Sequence, residues 1–151
     1  MGLTDSEDDL EKEWITEEDE RKLRSYLCAC CRLIEHKLPE VAKEAVQLAE
    51  QYNQGLVEAD ILDAKIEELY RYQKQEDEKC SDPQAKKVLD YACRAVEVCA
   101  WTPRLDIHDA ADSINFGELF CHWVEPHPAE QRKLYEEIFG PGGTFPSRKE
   151  K

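Results

Sequence analysis

Apolar residues recur along this chain every three or four positions between short polar stretches, the helical period, and no segment shows convincing strand alternation. The first periodic segment runs from about Glu17 to His36, with Leu23, Leu27, Cys30, Cys31 and Ile34 on one stripe. Cys28 falls toward the edge of that stripe. Thr16 is placed as its N-cap, with Asp19 three residues on completing an approximate capping box. Glu17/Arg21, Glu18/Lys22 and Glu20/Arg24 have the favourable acid-first i,i+4 order, which accounts for the basic residues without a ligand.

Pro39 suits the first turn of a second helix, whose stripe is Val41, Ala42, Ala45, Val46, Leu48, Ala49 and Tyr52, with Gly55 just beyond its end. A third helix is predicted from near Glu58 to about Gln75 on Ile61, Leu62, Ile66, Leu69 and Tyr70. Gln73 to Asp82 is polar and reads as a linker. Asp82-Pro83 then has the form of N-cap and N1 for a fourth helix, with Val88, Leu89, Ala92, Cys93, Val96, Cys99 and Ala100 inward. Ile107 to Val124 carries Ala110, Ala111, Ile114, Leu119, Phe120 and Trp123. Gly117 weakens its middle by about 1 kcal/mol relative to Ala, so the segment is read as one helix or two short ones. After Pro126-His127-Pro128 a last helix, to Phe139, is expected to dock through Leu134, Ile138 and Phe139 with Trp123 across from it. Gly140 is expected to end it in a left-handed C-cap. The fold class is all-α: one compact bundle of about five to six helices over residues 14–140, a disordered acidic arm over residues 1–13 and a flexible tail over residues 141–151. Lys43 to Ala49 and Arg94 to Ala100 echo one another, without a third copy that would indicate a solenoid.

Charge narrows the function. Thirty-four acidic residues against 20 basic give a net charge of −14, which repels a phosphate polyanion and excludes general nucleic-acid binding. A partner is instead expected to be a protein with a basic surface. No apolar run approaches the ~20 residues that span a bilayer. The acidic start of the chain does not read as a secretory signal. The chain is therefore expected to be cytoplasmic, with its seven cysteines as thiols.

Cys28, Cys30 and Cys31 are either small core side chains or a cluster for a metal or an oxidant. Cys28 and Cys31 have the C-x2-C spacing of a zinc edge and His36 follows within two turns, so these three are the candidate ligands. Cys121, His122 and His127 complete such a site only if the fold brings residue 121 to residue 31. A buried core role is the commoner use of cysteine, and no cofactor is assigned. For nucleophilic chemistry Cys28 is the candidate, with Arg24 and Arg32 four residues to either side. Phosphate-loop, serine-elbow and H-E-x-x-H motifs are missing from the sequence. Asp106, His108, Asp109 and Asp112 read as the acidic start of a helix.

Trp14-Ile15-Thr16, Arg21-Lys22-Leu23-Arg24 and Cys28-Ala29-Cys30-Cys31-Arg32 resemble a group of uncharacterised proteins abundant in planctomycete bacteria, in which an RKLR…CACCRR helix precedes an AVEVAER…G helix. The second element appears here as Ala45-Val46-Gln47-Leu48-Ala49-Glu50 with Gly55, and Ile138-Phe139-Gly140 matches that group's IFG ending. The resemblance spans roughly residues 14–141. It implies one helical fold and a module for contacts, and it transfers no catalytic residue. The acidic arm and the short end after the glycines depart from that pattern.

The leading expectation is thus a non-enzymatic acidic helical interaction protein, an adaptor, regulator or inhibitor. Its contacts are expected from Asp5, Asp8, Asp9 and Glu11 in the arm, with Ile138 and Phe139 as apolar alternatives. A zinc- or redox-responsive regulator using Cys28, Cys30 and Cys31 is the second expectation, and a small enzyme the last.

Overall fold

The computed structural model describes residues 13–102 and 104–140. The expected arm and tail, including Asp5, Asp8, Asp9 and Glu11, lie almost wholly outside the described residues. Among the described residues six α-helices form the bundle: α1 (Glu17–Leu33), α2 (Glu40–Asn53), α3 (Ala59–Lys79), α4 (Pro83–Cys99), α5 (Ile107–Val124) and α6 (Pro128–Phe139), with a 3-10 turn at Glu35–Lys37. The protein is all-α, a compact bundle in which α1 is the central helix, touching α2, α4, α5 and α6. None of the described helices is long and apolar enough to cross a membrane.

Local chemistry sets the helix ends. Thr16 Oγ1 accepts from the Asp19 amide at 3.0 Å, Asp82 Oδ1 from the Gln84 amide at 3.1 Å, and Asp106 Oδ1 from the Asp109 amide at 2.8 Å. Each satisfies one amide that the first turn leaves without a partner. The acids at 106 and 109 belong to that helix start. Pro39 is the residue before α2 rather than its first. Gly55, at φ +78°, closes α2 as a Schellman motif: its amide bonds the Tyr52 carbonyl while the Leu56 amide reaches back to Gln51. Gly140 also has positive φ, at +94°, but ψ 151° is extended, so α6 does not end in the left-handed conformation expected.

Packing corrects some of these expectations and decides between others. Residues 73–79 continue α3, with Gln73 donating to Asp90 Oδ1 at 2.7 Å, so the linker shrinks to 80–82. Gly117 leaves α5 unbroken. The inward stripe of α5 is Ala110, Ile114, Gly117 and Cys121, whereas Phe116, Leu119 and Trp123 are exposed. A methyl group built on Gly117 would overlap Leu27 Cδ2, so α5 runs close to α1 at this glycine. Trp123 packs on Tyr91 of α4, ring centroids 4.9 Å apart, and on Phe120 of its own helix, so its ring contacts among the described residues are to α4 and α5 rather than α6. Leu134, Ile138 and Phe139 are half-buried as α6 lies on α1, where Tyr26 meets the rings of Tyr135 at 5.4 Å and Phe139 at 5.8 Å.

Before α1, Trp14 bridges Asp106: the Ile15 amide bonds Leu105 O at 3.1 Å and the Ile107 amide bonds Glu13 O at 2.8 Å. This pairing ties the chain ahead of α1 to the loop before α5 and buries Ile15.

Candidate functional site

The cysteine helix is α1, and it is buried almost all round. Leu23, Arg24, Tyr26, Leu27, Cys28, Cys30 and Cys31 are all in the core, as befits a helix enclosed by four others. Cys28 is therefore not at a solvent edge as its position on the stripe suggested. Cys93 and Cys99 on α4 and Cys121 on α5 join the core as well, leaving Cys80 as the partly exposed thiol.

The fold does bring residue 121 to residue 31. Cys31 lies against Cys99, with the sulfurs 4.0 Å apart, and Cys121 stands close enough to Cys31, and Cys99 to Cys28, to act on their thiols. Cys31 also contacts Ala95 O at 3.5 Å, and Cys99 contacts Val96 O at 3.2 Å. These contacts and burial raise the thiol pKa values of Cys28 and Cys31; burial raises Cys30 and pushes Cys93 up to about 12. Cys99 is the exception, lowered because it accepts from Cys28 and Cys31, with the Arg24 charge nearby. Its contact to the Val96 carbonyl, which only a protonated thiol makes, works against ionisation. Thiols whose pKa is raised, as at Cys28, Cys30, Cys31 and Cys93, are poor nucleophiles at neutral pH.

His36 is not brought to these sulfurs. It is exposed, and its Nε2 lies 2.8 Å from Glu125 Oε1, the same oxygen that His127 Nε2 approaches at 2.7 Å. Glu125 is held below its ordinary pKa, first by His127 and then by His36. Among the described residues no group of three His, Cys, Asp or Glu side chains is placed to hold a metal ion.

The arginines flanking Cys28 serve contacts between helices. Arg32 forks onto Glu50 of α2, Nε to Oε2 at 3.0 Å and Nη2 to Oε1 at 2.6 Å, with Glu35 at 3.2 Å from Nη1. Glu50 chiefly, with Glu35, raises the Arg32 pKa. Of the expected acid-first pairs, Glu18–Lys22 closes at 3.5 Å. Arg24 instead turns into the core, donating to Asn53 Oδ1 at 3.2 Å and to the Trp101 carbonyl.

Two surface features were not legible as sites in the sequence. One is an aromatic face on α4 and α5. Phe116, at 50% exposed, stacks on Phe120 (6.0 Å), and Phe120 meets Tyr91 (6.3 Å) and Trp123 (6.1 Å), with the Arg94 guanidinium over its ring. The i, i+3, i+4, i+7 spacing of Phe116, Leu119, Phe120 and Trp123 announced a stripe; it did not say that the stripe faces out. The other is an open cleft of about 780 Å³ between α1 and the end of α2, lined in part by Arg24, Tyr52 and Asn53. In comparisons with known proteins, the chain matches no family model, no curated protein and no solved structure.

Proposed function

We propose that this chain is a non-enzymatic helical interaction protein that docks a partner carrying a basic surface, with the aromatic face of α4 and α5 as the contact. The observation that carries the reading is the continuous ring contact from exposed Phe116 and Trp123 through half-buried Phe120 and Tyr91. Aromatic side chains bury large areas on binding and recur as anchors of interfaces, and a contiguous exposed apolar patch marks such sites. The net charge of −14 selects the partner's sign: a basic protein is steered in and an acidic one repelled. The burial of Cys28 and Cys31 and their raised thiol pKa values weigh against turnover at the cysteine helix. Ile138 and Phe139 pack on α1, so they are worse placed than the aromatic face to serve as the apolar contact. The test is affinity capture with the full chain and its Phe116→Ser/Trp123→Ser variant. Retention of a basic partner by the first and its loss by the second supports the reading; equal retention refutes the assignment of the face.

A redox-responsive role is the second reading, favoured by the 4.0 Å between the Cys31 and Cys99 sulfurs. Hydrogen peroxide would take two electrons and two protons from the pair, forming one disulfide and two waters and linking α1 to α4. A disulfide needs about 2.05 Å between sulfurs, so the helices must shift. Peptide mapping after peroxide treatment tests it: a Cys31–Cys99 crosslink supports the role, and two unmodified thiols refute it.

A further inference from the structure

Arg24 differs from the neighbouring arginines in what it meets. Arg32 and Arg94 reach carboxylates, Glu50 and Asp90. Arg24 is only 6% exposed, yet among the described residues it bonds neutral acceptors alone, and its Nε–H is buried without an acceptor. A desolvated guanidinium held by neutral dipoles lacks the counter-charge that ordinarily offsets its burial.

The same side chain lines the cleft between α1 and α2. Its planar group is fixed over the Tyr52 ring at 4.9 Å. Asn53 is fixed in turn: its amide donates to the Arg21 carbonyl and to Ser25 Oγ, each at 3.0 Å, which leaves Oδ1 for Arg24. With both Nη groups held on neutral acceptors, the Nε–H is the donor left without a partner, fixed in place for a carboxylate oxygen. Glu17 and Glu20 line the same cleft. Arg21 lines it too, so the cleft presents two acids and two arginines; a ligand carrying both signs matches that balance, and the net charge of −14 disfavours a phosphate dianion.

We propose that this cleft binds a small zwitterionic carboxylate of the free amino-acid class, its carboxylate on Arg24 and its ammonium group toward Glu17 and Glu20. The proposal is independent of the aromatic face, and either stands if the other fails.

The test is NMR of the nitrogen-15-labelled full chain, following the arginine Nε–H resonances during titration with each free proteinogenic L-amino acid, and with acetate and inorganic phosphate. Arg24→Gln assigns the resonance where that variant folds, as judged by circular dichroism. Gln54→Trp, an exposed position on the cleft wall, fills the space while leaving Arg24 in place. At least one amino acid is expected to move the Arg24 Nε–H resonance saturably, with acetate and phosphate at least about tenfold weaker and the response lost in Gln54→Trp. The proposal is overturned if no amino acid gives a saturable shift, if phosphate binds more tightly than every amino acid, or if the shift survives in Gln54→Trp.

Discussion

Glu97 gives the sharpest energetic test of the packing between α3 and α4. It is half-buried on α4, and burial raises its pKa from the ordinary 4.5 to about 7; nearby Asp90 adds to the rise, while Arg94 and a hydrogen bond from Tyr70 of α3 oppose it. The folded state therefore binds the Glu97 proton more tightly than the unfolded chain. Between pH 4.5 and about 7 the native carboxyl keeps a proton that the unfolded one has lost, so stability falls as pH rises through that window. The full span corresponds to about 3 kcal/mol, and residual access to solvent reduces this to about 1–2 kcal/mol. Glu97→Gln keeps the shape and removes the titration. At pH 8 the variant is expected to exceed the parent by about 1–2 kcal/mol, about 2–8 °C in Tm for a chain of this size. At pH 4, below both pKa values, the two should agree. Differential scanning calorimetry on both proteins across the range reads the difference directly, cancelling the many other acids. Equal stability at both pH values, or a variant weaker at pH 8, would refute a carboxyl kept protonated by burial.

Other consequences follow from the core. Gly117→Ala gains about 1 kcal/mol of helix propensity but must displace Leu27, an overpacking cost of about 1–3 kcal/mol; urea denaturation should show a net loss of about 1 kcal/mol, and a stabilised variant would mean that α5 does not approach α1 closely. Cys30→Ser should lose about 1–3 kcal/mol by placing a hydroxyl among buried groups, measured in the same way. Thiol titration under native conditions should count one fast group, Cys80, and all seven after unfolding; several fast thiols in the native protein would contradict the burial of α1.

What the sequence made legible was local. Thr16 and Asp82 could be read as caps because a cap acts within three residues, and the apolar period of α1 and α2 announced both helices. The end of α3 was not legible, because a helix with few apolar contacts looks like a polar linker until Gln73 meets Asp90. The facing of α5 could not be read from hydrophobicity, which ranks Phe and Trp above Gly and Cys. Proximity to α1 reverses that order at Gly117, where an added methyl group would overlap Leu27. Arg24 looked like half of an i,i+4 pair with Glu20, but its partners stand 29 and 77 residues away. The 4.0 Å meeting of Cys31 with Cys99 was equally hidden, because it depends on how α4 crosses α1.

The most direct test of partner docking is site-specific photo-crosslinking in a native extract. A photoreactive phenylalanine replaces Phe116 on the aromatic face in one protein and Lys133 on the exposed side of α6 in another. Position 116 should crosslink a discrete basic protein, in a yield that falls as salt is raised and is abolished by Trp123→Ser, while position 133 gives none. No crosslink at 116 above that from 133, or an acidic protein captured independently of Trp123, would contradict the account.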